Sequence, residues 1–295
     1  MCDQDTAKDN EDFLRRTTTL SRRRFNTLTA TAALALALPR AANAMEVTES
    51  DVQVETPDGV ADCYFVHPSS GRHAAVLVWP DIFGLRPAFR LMGRRLAEAG
   101  YSVLVVNPYY RKMKAPVIAE GASFQDPAVR EFLMPLATSL NPETQVTDAK
   151  AFVAYLDAQP AVDTTRRIGT TGYCMGGPFV MRTAATLPER IGAGASFHGS
   201  RLVVDDPASP HLLIPQMRAS FLIAIAENDH EREPETKNVL RKAFDDAGLQ
   251  AEIEVYAGAM HGWCPPDSQV YNPAQAERAW ARMLALFEHA LAPAA

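Results

Sequence analysis

From residue 52 to residue 291, short apolar runs alternate with longer stretches in which apolar positions recur every three or four residues. The runs at 74–79, 103–106, 167–171, 193–197 and 219–226 have strand length and little polar alternation, which suits strands covered on both faces. A further strand is expected at 251–256. Ahead of them, 52–55 and 61–66 flank Thr56-Pro57-Asp58-Gly59, a turn sequence, and predict an opening hairpin. Helical periodicity predicts helices at 87–99, 142–159, 176–187, 235–247 and 273–291. Strand and helix repeated five or six times predict an α/β fold: one mostly parallel sheet with helices on both faces, in a single domain over 45–295. The stretch 112–141 reads as an irregular excursion or lid.

One strand-to-helix corner carries a chemical signal. Gly172-Tyr173-Cys174-Met175-Gly176 lies between the 167–171 strand and the 176–187 helix. This is the G-x-C-x-G form of a nucleophile elbow. A turn that holds a nucleophile in strained geometry leaves no space for side chains two residues before and after it, and the helix behind it presents free N–H groups to the thiol. The alternative is a buried structural cysteine beside a tight turn. A thiol nucleophile needs a base and a group to orient it. Asp229 and His261 are expected on loops after the 219–226 and 251–256 strands, at the sheet edge where Cys174 emerges and in the order nucleophile, acid, histidine. Alone, each reads as a helix cap or a structural histidine. His230 is the rival base, but it adjoins the residue that would have to orient it.

These residues, with Gly258-x-x-His261-Gly262 and the early Trp79-Pro80-Asp81-Ile82-Phe83-Gly84, resemble the dienelactone hydrolase family of α/β-hydrolases. The resemblance implies hydrolysis of an ester or lactone, typically carboxymethylenebutenolide, by a Cys174-His261-Asp229 triad with no metal or organic cofactor. It implies an oxyanion hole from the backbone N–H groups of Ile82 and Met175. It also implies a supporting carboxylate at Asp81, where the family usually has Glu. The family's substrate-binding Arg beyond the histidine is missing, since Cys264, Pro265 and Pro266 stand there. Arg130 is the expected replacement and Arg111 the alternative, and neutral short-chain aryl esters are expected to be turned over at least as well as a carboxylate-bearing dienelactone.

Among other candidates, Tyr110 (beside Tyr109) and Trp263 are expected as pocket walls. His198, which ends a strand at the same edge, is either a pocket residue or a structural one. Cys174, His261 and Cys264 form no closely paired metal-ligand set.

The first 44 residues break the α/β pattern. Mixed charges up to Arg16 give way to Ser21-Arg22-Arg23-Arg24-Phe25, an apolar run too short to span a bilayer, and Ala42-Asn43-Ala44. This resembles a twin-arginine export signal and predicts a periplasmic or secreted chain that begins at Met45. Its loss takes seven Lys/Arg and five Asp/Glu, moving the net charge from −6 to −8. Such acidity suits neither nucleic acid nor anionic lipid. Export of an already folded chain explains how a free thiol survives. Cys63 and Cys264 also remain, an odd total of three, and whether those two pair is open. The expected partners are a small ester or lactone and the export machinery, and the expected state is a monomer. An esterase of other specificity and a silent binding protein are the competing functions, separable by substrate profile and by turnover.

Overall fold

A computed structural model describes residues 4–17, 38 and 44–293. The Arg22–Arg24 cluster and nearly all of the apolar run behind it lie outside these residues. The elements in chain order are α1 (Gln4–Thr17), β1 (Val47–Thr56), β2 (Gly59–Pro68), β3 (Ala75–Trp79), α2 (Pro87–Glu98), β4 (Ser102–Val106), α3 (Pro127–Thr138) and α4 (Pro142–Asp157). They continue with β5 (Ile168–Tyr173), α5 (Gly176–Thr186), β6 (Ile191–Phe197), a 3-10 turn (Pro210–Gln216), β7 (Ser220–Ala226), α6 (Glu227–Arg232), α7 (Thr236–Asp246), β8 (Ala251–Tyr256) and α8 (Pro273–Ala290).

The strands form one eight-stranded sheet in the order β1-β2-β4-β3-β5-β6-β7-β8. The β1–β2 hairpin joins antiparallel to β4, and every other pairing is parallel. The expected hairpin turn is present. Thr56 Oγ1 accepts from the Asp58 N–H at 3.1 Å and donates to the Gly59 carbonyl at 2.8 Å.

Because the central strands are apolar throughout, alternate residues feed two cores. Leu77 and Trp79 of β3 face the core built with Phe152 of α4, Phe179 of α5 and Phe244 of α7. Val76 and Val78 face the other, built with Phe89 of α2 and Phe287 of α8. Truncating one of these enclosed aromatics to Ala costs about 3–5 kcal/mol.

Two segments depart from expectation. The 112–141 stretch contains a regular helix, α3, whose N-cap Asp126 Oδ1 accepts from the Ala128 N–H at 2.9 Å. Pro135 inside it reads as a helix breaker in sequence, yet the helix continues past it. Asp229 lies on the short helix α6 and not on a loop.

Candidate active site

The parallel strands end level. Trp79 pairs with Gly172, Tyr173 with Phe197, and Ala226 with Tyr256. The segments that carry Asp81 and Ile82, Cys174, His198, Asp229 and His261 therefore all leave the same edge. From β3 the chain passes to β4 on one side and later to β5 on the other, which opens a crevice at that edge.

The elbow is an interlock. A Cβ on Gly172 would come within 2.2 Å of the Gly176 carbonyl oxygen, and one on Gly176 within 2.4 Å of the Trp79 oxygen. Only hydrogen fits at either position, so the turn can press against β3. Cys174 takes φ 52°, a left-handed conformation that costs a non-glycine residue about 1–3 kcal/mol. Backbone bonds impose it: the Cys174 N–H donates to Phe197 O at 3.0 Å, while its carbonyl accepts from the N–H groups of Gly177 (3.1 Å) and Ser200 (3.2 Å).

Facing it is His261, 3% exposed. Its N–H donates to Asn228 Oδ1 at 2.8 Å, and its ring Nδ1 lies 2.7 Å from Asp229 Oδ2. With Nδ1 given to the carboxylate, Nε2 is the nitrogen left for sulfur. Burial pulls the ring's pKa down. The Asp229 carboxylate, then Cys174 by charge and hydrogen bonding, overcome that and push it up to about 10. The structure thus brings Cys174, His261 and Asp229 together in one hydrogen-bonded line. His230 does not line the cavity.

The sequence model described as "Dienelactone hydrolase family" matches residues 61–291, most of the chain. The chain belongs to the dienelactone hydrolase family. It is an ester or lactone hydrolase on an α/β-hydrolase fold. A relative from Methylorubrum extorquens, named "Putative carboxymethylenebutenolidase", is 28% identical over 279 residues, 90% of this chain and 92% of its own. The "Carboxymethylenebutenolidase" of Rhodococcus opacus is 24% identical over 81% of this chain and 91% of its own. A crystal structure of a "Putative Dienelactone Hydrolase" from Klebsiella pneumoniae superposes with TM-score 0.72 at 22% identity, covering 83% of this chain and 99% of that one. At that identity the superposition shows the fold alone.

In this dienelactone hydrolase family member the cavity at the elbow measures about 270 Å³ and is walled by Ile82, Phe83, Phe124 and Val270, with Cys174, His198 and His261 at its base. Asp81 lines it too, but both its oxygens are engaged by Arg86, Nη1 to Oδ1 at 2.7 Å and Nη2 to Oδ2 at 3.0 Å. Burial pushes the Asp81 carboxyl up against the pull of that guanidinium, and Cys174 adds a smaller push the same way. Arg86 Nε and Nη2 also bind Asp267, at 2.6 and 3.0 Å. Sequence reasoning missed this clamp. The available signal was a cation at the N-cap of α2, where the helix dipole repels it unless carboxylates stand by.

The expected carboxylate-binding arginines and two expected wall residues do not line the cavity. Arg130 donates from Nη1 to the carbonyls of Phe124 (2.8 Å) and Gln125 (2.7 Å), so it braces a wall from behind. Tyr110 donates to Asp148 at 2.8 Å, and Arg111 spans Asp58 and Asp148. Trp263 is fully enclosed, stacked on Tyr256 and edge-on to His198. Cys63 and Cys264 are free thiols in the two different cores, with the sheet between them, and cannot pair. Among the described residues no His/Cys/Asp/Glu cluster suits a metal ion, and no helix is long and apolar enough to cross a membrane.

Proposed function

We propose that this hydrolase works through a Cys174-His261-Asp229 triad and a thioacyl intermediate on small neutral esters or lactones. The observation that carries the reading is the line Asp229–His261–Cys174 at a strained elbow. Cys174 gives its thiol proton to His261 Nε2, and its sulfur attacks the ester carbonyl, forming a C–S bond while the carbonyl π pair moves to oxygen. The N–H groups of Ile82 and Met175 receive that oxyanion. Collapse expels the alkoxide, which takes the proton from His261. Water then attacks the thioester and gives a proton to His261; collapse breaks the C–S bond, and the departing thiolate takes that proton back as the acid is released.

The substrate class follows from charge. Among the described residues lining the cavity, Arg86 is the single Lys/Arg, and it is held by Asp81 and Asp267. A substrate carboxylate finds no uncommitted guanidinium there, while Ile82, Phe83, Phe124 and Val270 supply apolar wall. An anionic dienelactone is therefore a poorer fit than a neutral aryl ester or lactone. The chain acts as an exported monomer, a reading that rests on the leader sequence and on the absence of any need for a second subunit to complete the triad.

The test is a kinetic panel of p-nitrophenyl esters, aryl lactones and a carboxylate-bearing dienelactone, on wild type and Cys174→Ala. Cys174→Ala is expected to lose turnover by about 10³-fold or more while keeping its fold, and brief quenching of wild type should trap a mass adduct on the Cys174 peptide. Undiminished turnover by Cys174→Ala sinks the thiol mechanism. A strong preference for the anionic lactone sinks the substrate class.

A further inference from the structure

The two residues expected to cradle the oxyanion come from distant segments, Ile82 after β3 and Met175 after β5, and one side chain touches both. The hydroxyl of Tyr109, 1% exposed, lies 2.8 Å from the Ile82 carbonyl oxygen and 3.4 Å from Met175 Sδ. Its own backbone is rooted. The Tyr109 N–H donates to Asn107 Oδ1 at 3.0 Å, and Asn107 Nδ2 donates to Asp62 Oδ1 (2.8 Å) and to the Met113 carbonyl (2.9 Å). The phenol is thus a fixed strut from the end of β4 to the point where the two segments meet. We propose that Tyr109 is a positioning residue of this hydrolase, setting the spacing and orientation of the Ile82 and Met175 N–H groups.

The proposal rests on the reading that those two groups bind the oxyanion. A phenol that does not touch substrate changes rate only through the groups it holds, so its loss falls on the step that develops the oxyanion and spares substrate binding. Tyr109→Phe keeps the ring and removes the hydroxyl. Losing a whole oxyanion donor costs about 10²–10³ in kcat, and loosening two is expected to cost about tenfold, with KM changed less than about twofold. Alkylation of Cys174 by iodoacetamide forms no oxyanion, so its rate should stay at the wild-type value. Met175→Leu, which removes the sulfur partner alone, should show a smaller loss of the same kind. A wild-type kcat in Tyr109→Phe overturns the proposal, as does an equal loss in alkylation and turnover, which marks a general disturbance. If Cys174→Ala still turns over ester, the fault lies with the triad and not with Tyr109.

A separate observation concerns the rim. Thr6 and Asn10, one turn apart on α1, line the same cavity as Cys174 and His261. Asn10 Nδ2 donates to the His261 carbonyl at 3.1 Å. Asp9 pairs with Arg232 at 2.6 Å and accepts from Asn228 Nδ2 at 3.4 Å, while Arg232 Nη1 reaches Thr6 Oγ1 at 3.0 Å. The surface so covered belongs to α6 and the His261 turn, the two segments that carry the candidate acid and base. Its basic Arg232 complements Asp9 of the helix. We infer that this rim is a docking surface whose occupant is residues 4–17 of the same chain, and that the docked helix restricts entry to Cys174 until the leader is removed.

The test uses the full chain. If the docked cleft is open about one-tenth of the time, release raises apparent access by about tenfold. Asp9→Arg sets two guanidinium groups against each other and should raise both Cys174 alkylation and kcat/KM by at least about fivefold. Adding Arg232→Asp restores the pair with its charges exchanged and should return both rates toward wild type. Melting curves check that each variant is folded. Asp9→Arg within twofold of wild type, or a double variant as accessible as the single, overturns the latch. Alkylation is read on the Cys174 peptide, so this result is independent of whether Cys174 is the nucleophile.

Discussion

Two buried imidazoles stand at the same sheet edge with ring centres 5.1 Å apart, and their chemistry is opposite. His261 has Asp229 on Nδ1 and is pushed toward the protonated form. His198 is fully enclosed, finds no hydrogen-bond partner for either ring nitrogen among the described residues, and is pulled well below the ordinary value by burial, with His261 adding to it. Burial is common to both, so burial does not make a base. What separates the two rings is the Asp229 carboxylate, which stabilises the cationic form of His261 in a buried site.

Breaking the partnered ring should have the largest effect. His261→Gln is expected to lower kcat/KM by about 10³–10⁴-fold, because His198 cannot take over even at this distance. Steady-state kinetics on a p-nitrophenyl ester decide it, and residual activity above one-tenth of wild type would mean that His198 substitutes. Next, Asp229→Asn keeps the shape and removes the charge, turning His261 into a ring more like His198. A loss of about 10²–10⁴-fold in kcat is expected, together with a drop in the His261 pKa observable by NMR of the imidazole protons.

Stability against pH sharpens the contrast further. His261 is raised, so its contribution is complete below about 6.5, its ordinary value, and is lost as pH rises toward about 10. His198 is lowered, so it penalises the folded state as pH falls through 6.5, where the unfolded chain takes up a proton that the folded chain refuses. The melting temperature should therefore fall on both sides. His261→Gln should flatten the alkaline limb and His198→Phe the acid limb, and a melt series from pH 5 to 10 shows whether the limbs separate in this way. The smallest effect is at neutral pH. His198→Phe removes two unsatisfied buried nitrogens and should change stability by only about 1 kcal/mol, in the stabilising direction. Urea denaturation measures it, and a loss of several kcal/mol would show that the imidazole has a structural partner after all.

Much of this was legible in the chain. Continuous apolar runs give buried parallel strands almost by necessity, and β8 begins and ends where periodicity places it. The elbow was legible because its glycines are demanded by contact distances, which leave a mark in residue type. Asp229 and His261 were legible from their places after strands. Side-chain reach was not. Nothing local in the sequence says that Arg86 closes on Asp267, 181 residues away, or that Arg130 spends its donors on the carbonyls of Phe124 and Gln125. Nor does Tyr109 differ in pattern from Tyr110, although one hydroxyl meets the elbow and the other meets Asp148. Pairings of that kind depend on the directions in which segments leave the sheet, and periodicity carries no information about those.

The guanidinium of Arg86 rivets the loop after β3 to the loop after His261, so two sides of the cleft cannot drift apart without leaving a buried charge bare. The third side, residues 116–125, shows no such rivet among the described residues; Arg130 donates there to the neighbouring carbonyls of Phe124 and Gln125. Evolution, or a library, that seeks new acyl groups for this scaffold has its freedom in that stretch, where length and shape can change without disturbing the mouth's fixed width. Specificity would then diverge quickly among relatives along one short segment while the rest of the opening stays the same.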